Sequence, residues 1–457
     1  MPEASPSLLG ISFDGLAISG IVNEFLNVAD VLRHRHLRVL FDVGYDITMG
    51  RTADVGPVYF PPWVTLLRSI GDSRPQGYGP DLIKGVVARV NRGTPIAATD
   101  EYAEVCSQLV SAIVATFERE NVRMLVVENG TLPDNPLFTE AVYLAIGEYG
   151  AHHRFEKYVL WMDHDLMWSA EPHLYGSYPY PGVRKPGADP YIHYAVATEW
   201  MRLRMRAWAP SADYQVIPNR FFRPAPRKMP GRLRTAYRIP EDAYLIARCT
   251  RVVPQKCIER DLRLLDELQR RLTASGNRRK VFLFVTGPTA EDLQEFGRLA
   301  TVESHLSIAG QVVWGDGLLP YNPALVGDSD RDRFSVHDLL SEADLSSFLT
   351  CYDYEGFGNP PGESMAMGVP FIATTYELYH EVYGSKGAIA PLLSIDRSSK
   401  AGDPIPDAFV EWTLKTLTDP EYRAQISRRN LEICERFYSL SALERQTSAL
   451  FRDVLPG

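Results

Sequence analysis

One stretch of the chain decides its fold class: residues 354–370 have the sequence YEGFGNPPGESMAMGVP. Within this stretch, Glu355 and Glu363 are separated by seven residues of a loop rich in glycine and proline. An apolar run at 345–351 precedes the loop, and a second apolar run at 369–375 follows it. This order predicts a buried strand, a glycine loop, a short helix and another buried strand, an arrangement typical of α/β sheets.

The same loop has the features of an anion site. The unpaired amides at a helix N-terminus and the positive end of the helix dipole attract anions. Gly356 and Gly358 let the backbone approach a phosphate, and Pro360 suits the first turn of the helix. The carboxylates of Glu355 and Glu363 are acceptors for sugar hydroxyls, so the loop favours a nucleotide-sugar site. Either glutamate alone is also compatible with a first-turn helix acid or a solvated loop charge.

The whole stretch resembles the E-x7-E signature of retaining GT-B glycosyltransferases of the family 4 type, E-G-F-G-x-x-x-x-E-A-M-A-x-G-x-P. Ser364 stands where that family usually has alanine, and residues 359–362, NPPG, are unusual. The resemblance implies two doubly wound Rossmann-like domains that face each other across a cleft. It also implies that the donor is bound by Glu363, Gly356, Phe357, Gly358, Asn359 and Pro360, while Glu355 binds the hydroxyls of the sugar.

Two cations follow the first predicted strand of the second half, in the segment TRVVPQK at 250–256. Arg251 and Lys256 are placed to neutralise a leaving diphosphate, although cations in a solvated loop are common. Their spacing is similar to the R-x4-K pair that holds the donor phosphates in the family. Cys257 replaces the glycine that usually follows the lysine. Further along the chain, residues 376–379, YELY, replace a Gly-Gly turn of the family.

In the first half, polar residues follow apolar strands. His164 resembles the histidine that lies beside the donor sugar in the family, yet a buried structural histidine is the commoner case. The segment Asp163-His164-Asp165 also has the D-x-D form of a metal site. Arg251, Lys256 and a helix N-terminus already compensate the negative charge of the donor phosphates. We therefore expect no metal and no other cofactor. The acceptor side is predicted at the ends of strands in this half: Asp14, Gly15, Gly20, Glu128 and Asn129.

Length and composition set broad limits. A chain of 457 residues with 45% hydrophobic and 23% charged residues suits two globular domains. A net charge of −9 argues against nucleic acid as the main partner. The sequence contains no apolar run long enough to span a membrane, and its five cysteines are scattered. We therefore expect a cytoplasmic protein with reduced thiols, and we leave the formation of a homo-oligomer open.

The proline-rich and basic segment at 218–240 is the predicted domain boundary. The prediction gives residues 1–217 to an acceptor-side domain, onto which a helix at 441–457 packs back. Residues 218–440 form the nucleotide-sugar domain. In the second domain, strands are expected at 244–253, 281–286, 306–309, 312–313, 345–351 and 369–375.

These observations together predict a metal-independent, retaining glycosyltransferase. The expected donor is a nucleotide diphosphate hexose, such as UDP-glucose or GDP-mannose. The expected acceptor is a small soluble molecule, such as a sugar, a cyclitol or a sugar acid. Two alternatives stay open: a nucleotide-sugar epimerase of the same architecture, and a sugar-nucleotide-binding protein without catalytic activity. A dinucleotide enzyme is disfavoured because no G-x-G-x-x-G follows the first strand.

Overall fold

The protein is described from a computed structural model, which describes residues 5–12, 20–42, 60–67, 75, 77–96, 100–131, 135–166, 179–224, 231–319 and 333–452. The chain divides into two compact units. Unit 1 consists of Met1–Arg220 together with Leu440–Gly457, and unit 2 consists of Phe221–Ser439.

Unit 1 is built on a parallel sheet of seven strands in the order β3-β2-β1-β4-β5-β6-β7. Its central strands are buried on both faces, which is why their sequences are apolar at consecutive positions. The strands are β1 Ser7–Ser12, β2 Arg38–Asp42, β3 Val64–Leu67, β4 Val122–Glu128, β5 Val159–Asp163, β6 Ile192–Val196 and β7 Tyr214–Val216.

In the described residues of this unit, the helices are α1 Gly20–Leu32, α2 Pro80–Asn91, α3 Asp100–Glu120, α4 Pro136–His153, α5 Glu199–Trp208 and α14 Leu440–Leu450. The apolar residues Phe25, Val28 and Leu32 recur at helical spacing along α1 and are all buried. The C-terminal helix α14 packs against α1 within unit 1. At the last residue of α14, the backbone oxygen of Leu450 lies 3.1 Å from Nε2 of His193 on β6.

Unit 2 is built on a parallel sheet of six strands in the order β10-β9-β8-β11-β12-β13. The strands are β8 Tyr244–Arg248, β9 Val281–Val285, β10 Val312–Trp314, β11 Leu345–Phe348, β12 Phe371–Thr374 and β13 Leu392–Leu393. Its helices are α6 Arg232–Ala236, α7 Ile258–Ala274, α8 Leu293–Ser304, α9 Val336–Glu342, α10 Asn359–Met367, α11 Tyr379–Val382, α12 Asp407–Thr418 and α13 Pro420–Tyr438.

Both faces of the second sheet are covered. Along β8, Tyr244 and Ile246 belong to one hydrophobic cluster, which includes the buried leucines of α7. Leu245 and Ala247 belong to a second cluster, with residues of α6 and α9. Because alternate side chains of a strand point to opposite faces, this division shows that helices cover both sides of the sheet. The prediction of two doubly wound α/β domains is therefore confirmed.

The predicted strand at 306–309 is wrong. This segment is a turn after α8, in which the amide of Gln311 donates to the backbone oxygen of Ile308 at 2.9 Å. Ile308 is nevertheless fully buried, in the same cluster as the α7 leucines. An apolar residue that enters the core from a turn gives the same sequence signal as a short strand.

The strand order reverses once in each sheet. In unit 1, β1 pairs with β2 on one side and with β4 on the other. In unit 2, β8 pairs with β9 on one side and with β11 on the other. Ligands of doubly wound sheets bind beyond the carboxyl ends of the strands at such a switch point. The loops after β1, β4, β8 and β11 are therefore the places to look for a site.

None of the helices in the described residues has both the length and the apolar character that crossing a lipid bilayer requires.

Candidate functional site

At the switch point of unit 2, an ion pair joins the loops that follow β8 and β11. The Nζ atom of Lys256 lies 2.5 Å from Oε1 of Glu355. The hydroxyl of Thr350 donates to the same carboxylate oxygen at 2.9 Å. The side chains of Lys256 and Glu355 are only 13% and 10% exposed, so Glu355 is not a solvated loop charge. The sequence prediction placed both residues in the site but did not pair them with each other.

The backbone beneath Lys256 is fixed by a buried cation. Arg248 is fully buried and pairs with Asp261 of α7 at 3.0 Å. Its guanidinium also donates to the backbone oxygen of Lys256 at 2.5 Å and to that of Ser347 at 3.2 Å. Arg248 therefore ties the two loops together from below, and it has a structural role. Because the ion pair satisfies the buried charge, Arg248 is not available to a ligand.

Arg251 and Lys256 are directed to different carboxylates. Arg251 pairs with Glu291, and its side chain is 60% exposed. The backbone just before Arg251 packs closely against Gly287. A Cβ atom on Gly287 would lie 2.5 Å from the backbone oxygen of Thr250. The predicted pair of cations is thus divided between Glu291 and Glu355. A diphosphate that bound to both cations would have to compete with both of these ion pairs.

The glycine loop continues into the N-terminus of α10. Gly358 is the N-cap residue, with φ of +86°, and Pro360 lies in the first turn. This left-handed conformation suits glycine. A Cβ atom on Gly358 would also lie 2.5 Å from the hydroxyl oxygen of Tyr376, so a larger residue does not fit. Pro360 and Pro361 have no backbone N–H, so within the first turn of α10 the amide that could donate to an anion is that of Asn359.

Two tyrosines hold the loop from behind. The hydroxyl of Tyr376 donates to the backbone oxygen of Phe357 at 2.7 Å, and that of Tyr383 donates to the backbone oxygen of Gly358 at 2.6 Å. Both tyrosines are buried. The sequence analysis singled out the segment 376–379 as a departure from the family but missed this role. The departure therefore supplies one of the two hydroxyls that hold the loop.

The aromatic ring of Phe357 belongs to the core. Phe357 is 6% exposed, and its ring centroid lies 6.1 Å from that of Tyr383 and 5.9 Å from that of Tyr438. The ring therefore supports the loop, and the part of Phe357 in donor binding stays a prediction. Gly356 and Asn359 are half-buried.

Glu363 lies on α10 beyond the first turn, which contains no acidic residue. The alternative that Glu363 is a first-turn helix acid is therefore wrong. Its half-buried carboxylate lies near Cys249, which follows β8. Burial raises the pKa of the Cys249 thiol, and the Glu363 carboxylate raises it further. Both glutamates of the E-x7-E segment thus lie against the loop after β8, Glu355 at Lys256 and Glu363 at Cys249.

In unit 1, the ends of β4 and β5 carry a buried histidine–carboxylate pair. Nε2 of His164 lies 2.7 Å from Oε2 of Glu128, and its Nδ1 lies 3.2 Å from Oδ1 of Asn219. All three side chains are buried. Both ring nitrogens of His164 are therefore engaged inside unit 1. The predicted contact between this ring and the donor sugar would require one of these bonds to be exchanged.

The pKa values of His164 and of the nearby Glu24 differ from their ordinary values. Burial lowers the pKa of His164, but the Glu128 carboxylate outweighs burial and raises it to about 9. Burial raises the pKa of Glu24, on α1, to about 7. Glu24 accepts hydrogen bonds from the amide of Arg220 at 3.2 Å and from Asn27 at 3.4 Å. The sequence analysis missed Glu24, although an acid on the apolar face of α1 was a visible signal.

Asn129 and Asp163 organise the same strand ends. Asn129 has φ of +54°, and its side-chain oxygen accepts from the amides of His164 at 2.7 Å and Asp165 at 3.3 Å. The carboxylate of Asp163 accepts from the amide and the hydroxyl of Thr131 at 3.2 and 2.7 Å. Burial raises the pKa of Asp163 to about 7. Asp163 thus caps the loop after β4, as a structural carboxylate does.

Three polar atoms of this region are buried and have no hydrogen-bond partner among the described residues: Oε1 of Glu128, Nδ2 of Asn129 and Oδ2 of Asp163. Buried polar atoms without partners are rare in folded proteins, so each of them calls for a partner. Of the other residues predicted on the acceptor side, Gly20 is the first residue of α1. Asp14 and Gly15 lie outside the described residues.

Within the described part of the chain, one group of three side chains has the spacing of a metal site: Glu118, His152 and His153. These residues are at the ends of α3 and α4, and Nε2 of His153 lies 2.9 Å from Oε1 of Glu118. Glu118 and His152 are exposed. The group does not include Asp163, His164 or Asp165, the residues of the D-x-D segment.

No protein-family model matches the chain, and no curated protein matches it by sequence. Solved structures do match it over nearly its whole length. The sucrose-phosphate synthase from Thermosynechococcus elongatus aligns with a TM-score of 0.60 and 15% identity, over 98% of this chain and 99% of its own.

Two further structures are similar to this chain. An α,α-trehalose-phosphate synthase (UDP-forming) from Burkholderia xenovorans, in complex with glucose-6-phosphate, aligns with a TM-score of 0.56 and 13% identity, over 98% of this chain and 99% of its own. The trehalose-6-phosphate protein from E. coli bound with UDP-2-fluoro glucose aligns with a TM-score of 0.56 and 10% identity, over 99% of this chain and 100% of its own. At these identities the likeness concerns the fold alone, and the fold of this chain is the GT-B fold.

Proposed function

We propose that the protein is a glycosyltransferase that takes a hexose from a nucleotide diphosphate sugar and retains its anomeric configuration. The observation that carries the proposal is the Lys256–Glu355 ion pair at the switch point of unit 2, beside the N-terminus of α10. A cation, a carboxylate and the N-terminus of a helix are what a diphosphate and a sugar require together. The structures of similar fold, which include a sucrose-phosphate synthase and an α,α-trehalose-phosphate synthase, support the proposal of a glycosyltransferase.

Each group in the donor site has a proposed task. Lys256 and the amide of Asn359 at the N-terminus of α10 bind the diphosphate, with Arg251 as a second cation. Glu355 exchanges its contact with Lys256 for hydroxyls of the sugar, and Glu363 binds the ribose hydroxyls. UDP-glucose is the first donor to test, because one fold neighbour is bound with UDP-2-fluoro glucose. GDP-mannose is the second.

The proposed reaction is a displacement on one face of the sugar. The bond between the anomeric carbon and the diphosphate oxygen breaks, while a bond to the acceptor oxygen forms on the same face. The leaving phosphate takes the proton of the acceptor hydroxyl. Lys256, Arg251 and the N-terminus of α10 stabilise the negative charge that develops on the diphosphate. No divalent cation is needed for this task.

For the acceptor, we propose a small polar molecule recognised by unit 1. The support is the set of buried atoms without partners in Glu128, Asn129 and Asp163, which could be satisfied by hydroxyl groups. Sugars, cyclitols and sugar acids are the first classes to test. Sugar phosphates belong in the same screen, because one fold neighbour is in complex with glucose-6-phosphate.

A thermal-shift screen of nucleotide sugars tests the proposal. A ligand at a hundred times its Kd adds about 2.7 kcal/mol to the free energy of unfolding, so the correct donor raises the melting temperature measurably. The screen is run with and without EDTA, and the same shift is expected in both. If no nucleotide sugar shifts the melting temperature, the proposal is wrong. A shift that appears only with magnesium or manganese would make the D-x-D segment a metal site instead.

Donor turnover separates the proposal from its alternatives. A transferase that binds a donor also hydrolyses it slowly in the absence of an acceptor, which releases the nucleoside diphosphate. A binding protein without activity leaves the donor intact, and an epimerase converts it to a second nucleotide sugar. Liquid chromatography of the nucleotides after prolonged incubation distinguishes these three outcomes.

A further inference from the structure

The loops at the switch point of unit 2 also carry two cysteines. Cys257 directly follows Lys256 and is 7% exposed, while Cys351 directly follows Thr350 and is half-buried. Both are free thiols, and they are hydrogen-bonded to each other. Each cysteine is therefore the chain neighbour of a residue that contacts Glu355.

The backbone holds these two cysteines in place. The amide of Cys351 donates to the backbone oxygen of Gln255 at 3.2 Å, and the amide of Cys257 donates to that of Pro254 at 3.0 Å. Both cysteines are thus attached to the same turn, Pro254–Lys256. Arg260 adds a hydrogen bond to the backbone oxygen of Thr350 at 2.6 Å. The contact between the thiols is consequently built into the two loops.

The conformation of Cys257 makes a cysteine an unexpected choice at this position. Its φ is +50°, in the left-handed region that favours glycine. A glycine would adopt this conformation without the steric cost that a Cβ atom brings. An unfavourable backbone conformation that is kept for the sake of a reactive side chain is typical of functional positions.

The surroundings of the two thiols shift their pKa values in opposite directions. The hydrogen bond from Cys351 lowers the pKa of Cys257 to about 7 despite burial, and Arg260 and Arg248 contribute. The same hydrogen bond raises the pKa of Cys351. The surroundings thus favour the thiolate at Cys257 over the thiolate at Cys351. The thiolate is the reactive form of cysteine towards oxidants.

We propose that Cys257 and Cys351 form a reversible disulfide when the protein meets a peroxide, and that this disulfide closes the donor site. The Cys257 thiolate attacks one oxygen of the peroxide, so that an S–O bond forms, the O–O bond breaks and water leaves after proton uptake. The Cys351 thiol then attacks the sulfenic sulfur of Cys257. An S–S bond forms, the S–O bond breaks, and the hydroxyl leaves as water with the proton of Cys351. Two thiols are oxidised and one peroxide is reduced to two waters.

The consequence for binding rests on the proposed function. Lys256 and Thr350 both contact Oε1 of Glu355, and a covalent bond between their chain neighbours would restrain both loops around that carboxylate. Glu355 then cannot exchange Lys256 for the hydroxyls of a sugar. Oxidation is therefore expected to lower the affinity for the donor, and a dithiol reductant is expected to restore it.

Peptide mapping tests the disulfide itself. The full chain is treated with hydrogen peroxide, its remaining thiols are alkylated, and the digest is analysed by mass spectrometry. The expected result is a linked pair of peptides containing Cys257 and Cys351, two hydrogens lighter than the separate peptides and reversed by dithiothreitol. The Cys434→Ser variant should give the same link, because burial raises the pKa of that isolated thiol to about 12. Recovery of both Cys257 and Cys351 as alkylated thiols after peroxide treatment would overturn the proposal.

Binding tests the second half of the proposal. Each protein is compared with itself before and after peroxide, so that a change in folding caused by a substitution does not affect the comparison. The intact chain is expected to lose donor affinity by about tenfold or more, because charge-assisted contacts at the diphosphate are disturbed. The Cys257→Gly variant, which keeps the left-handed turn accessible, should show no such loss.

Three outcomes are distinguishable. If the reduced protein binds no nucleotide sugar while the disulfide forms, the proposed function fails and the redox pair stands. If no disulfide forms while the reduced protein binds its donor, the redox proposal alone fails. If the disulfide forms and the affinity is unchanged, the pair is a site of oxidation that does not control the donor site, and the proposed switch is wrong.

Discussion

Lys256 and Glu355 belong to loops that are 99 residues apart in the chain, yet they form an ion pair at the one place where the strand order of the second sheet reverses. Nζ of Lys256 lies 2.5 Å from Oε1 of Glu355, and both side chains are mostly buried. A buried ion pair contributes little net stability, because desolvation offsets the Coulombic gain. The pair is therefore better explained by what it can bind than by what it stabilises.

The Lys256→Ala variant should bind nucleotide diphosphate sugars at least about tenfold more weakly, since hydrogen bonds to charged groups contribute roughly 1.5–3 kcal/mol. Its affinity for the nucleoside without phosphates should be unchanged. Isothermal titration calorimetry with both ligands measures the difference. Lys415→Ala, at an exposed position of α12, is the matched control. An equal loss for the nucleoside and the diphosphate would show that Lys256 shapes the fold and does not bind phosphate.

The Glu363→Ala variant should lose about tenfold or more in donor affinity, because it removes charge-assisted hydrogen bonds to the ribose worth roughly 1.5–3 kcal/mol. The intact protein should also bind a 2′-deoxy donor more weakly than the normal donor. In the variant this difference should disappear. Glu432→Ala, whose carboxylate is 67% exposed, serves as the control. An unchanged affinity in Glu363→Ala would remove Glu363 from the site.

Tyr376→Phe should affect both stability and donor binding. The substitution leaves the buried backbone oxygen of Phe357 without the hydroxyl that now donates to it, which costs about 1–3 kcal/mol of the free energy of unfolding. Because the loop is then held by Tyr383 alone, the donor affinity should fall as well. Urea denaturation and calorimetry measure the two effects.

Tyr422→Phe provides the comparison for Tyr376→Phe, since the hydroxyl of Tyr422 accepts from Trp412 at an exposed site. It should change neither quantity by more than a few tenths of a kcal/mol, as is usual for surface substitutions. If Tyr376→Phe behaves in the same way, the loop does not depend on this hydrogen bond.

The Glu128–His164 pair predicts how stability depends on pH. The pKa of His164 is about 9 in the folded protein, above its ordinary value near 6.5 in an unfolded chain. The contribution of the protonated imidazole to the free energy of unfolding is therefore complete below pH 6.5 or so and is lost as the pH rises through about 9. Glu24 and Asp163 have pKa values of about 7 in the folded protein, above their ordinary values. Their contributions to the free energy of unfolding are therefore lost as the pH rises through about 7. Cys257, whose pKa is lowered to about 7 in the folded protein, adds stability as the pH rises from about 7 to 9, so the contribution of His164 is isolated by comparison with a variant that lacks Glu128.

Urea denaturation at several pH values tests this prediction. In Glu128→Gln the largest cause that raises the pKa of His164 is gone, so this pKa should fall and the loss of stability above neutral pH should become smaller. His152→Gln, at an exposed position, should keep the slope of the unchanged protein. Equal slopes in the Glu128→Gln and unchanged proteins would mean that the pair does not hold a proton at neutral pH.

Much of the fold was predictable because parallel strands buried on both faces leave continuous apolar runs in the sequence. The ends of the strands were less predictable. The run at 345–351 predicts one strand, but β11 ends at Phe348. Thr350 and Cys351 leave the sheet, and the amide of Cys351 donates to the backbone oxygen of Gln255 instead. An apolar residue gives the same signal in a strand and in the buried loop that follows it.

The residues of the candidate site could be proposed from the sequence, but the contacts among them could not. Glu355, Glu363 and Lys256 are recognisable because their residue types and spacing are local properties of the chain. The bond from Tyr376 to Phe357, the position of Glu24 beside His164 and the contact of the two thiols depend on how distant segments fold together. Local patterns contain no information on such contacts, so these contacts were found only in the structure.

The measurement that tests the central claim most directly is proton NMR of the sugar released when the protein turns over its donor. With UDP-glucose in water, the first product should be the α anomer, which shows a small anomeric coupling, and mutarotation should then produce the β anomer. Lys256→Ala should slow the release. A product that first appears with the large coupling of the β anomer would contradict retention. It would require a general base on the opposite face of the sugar.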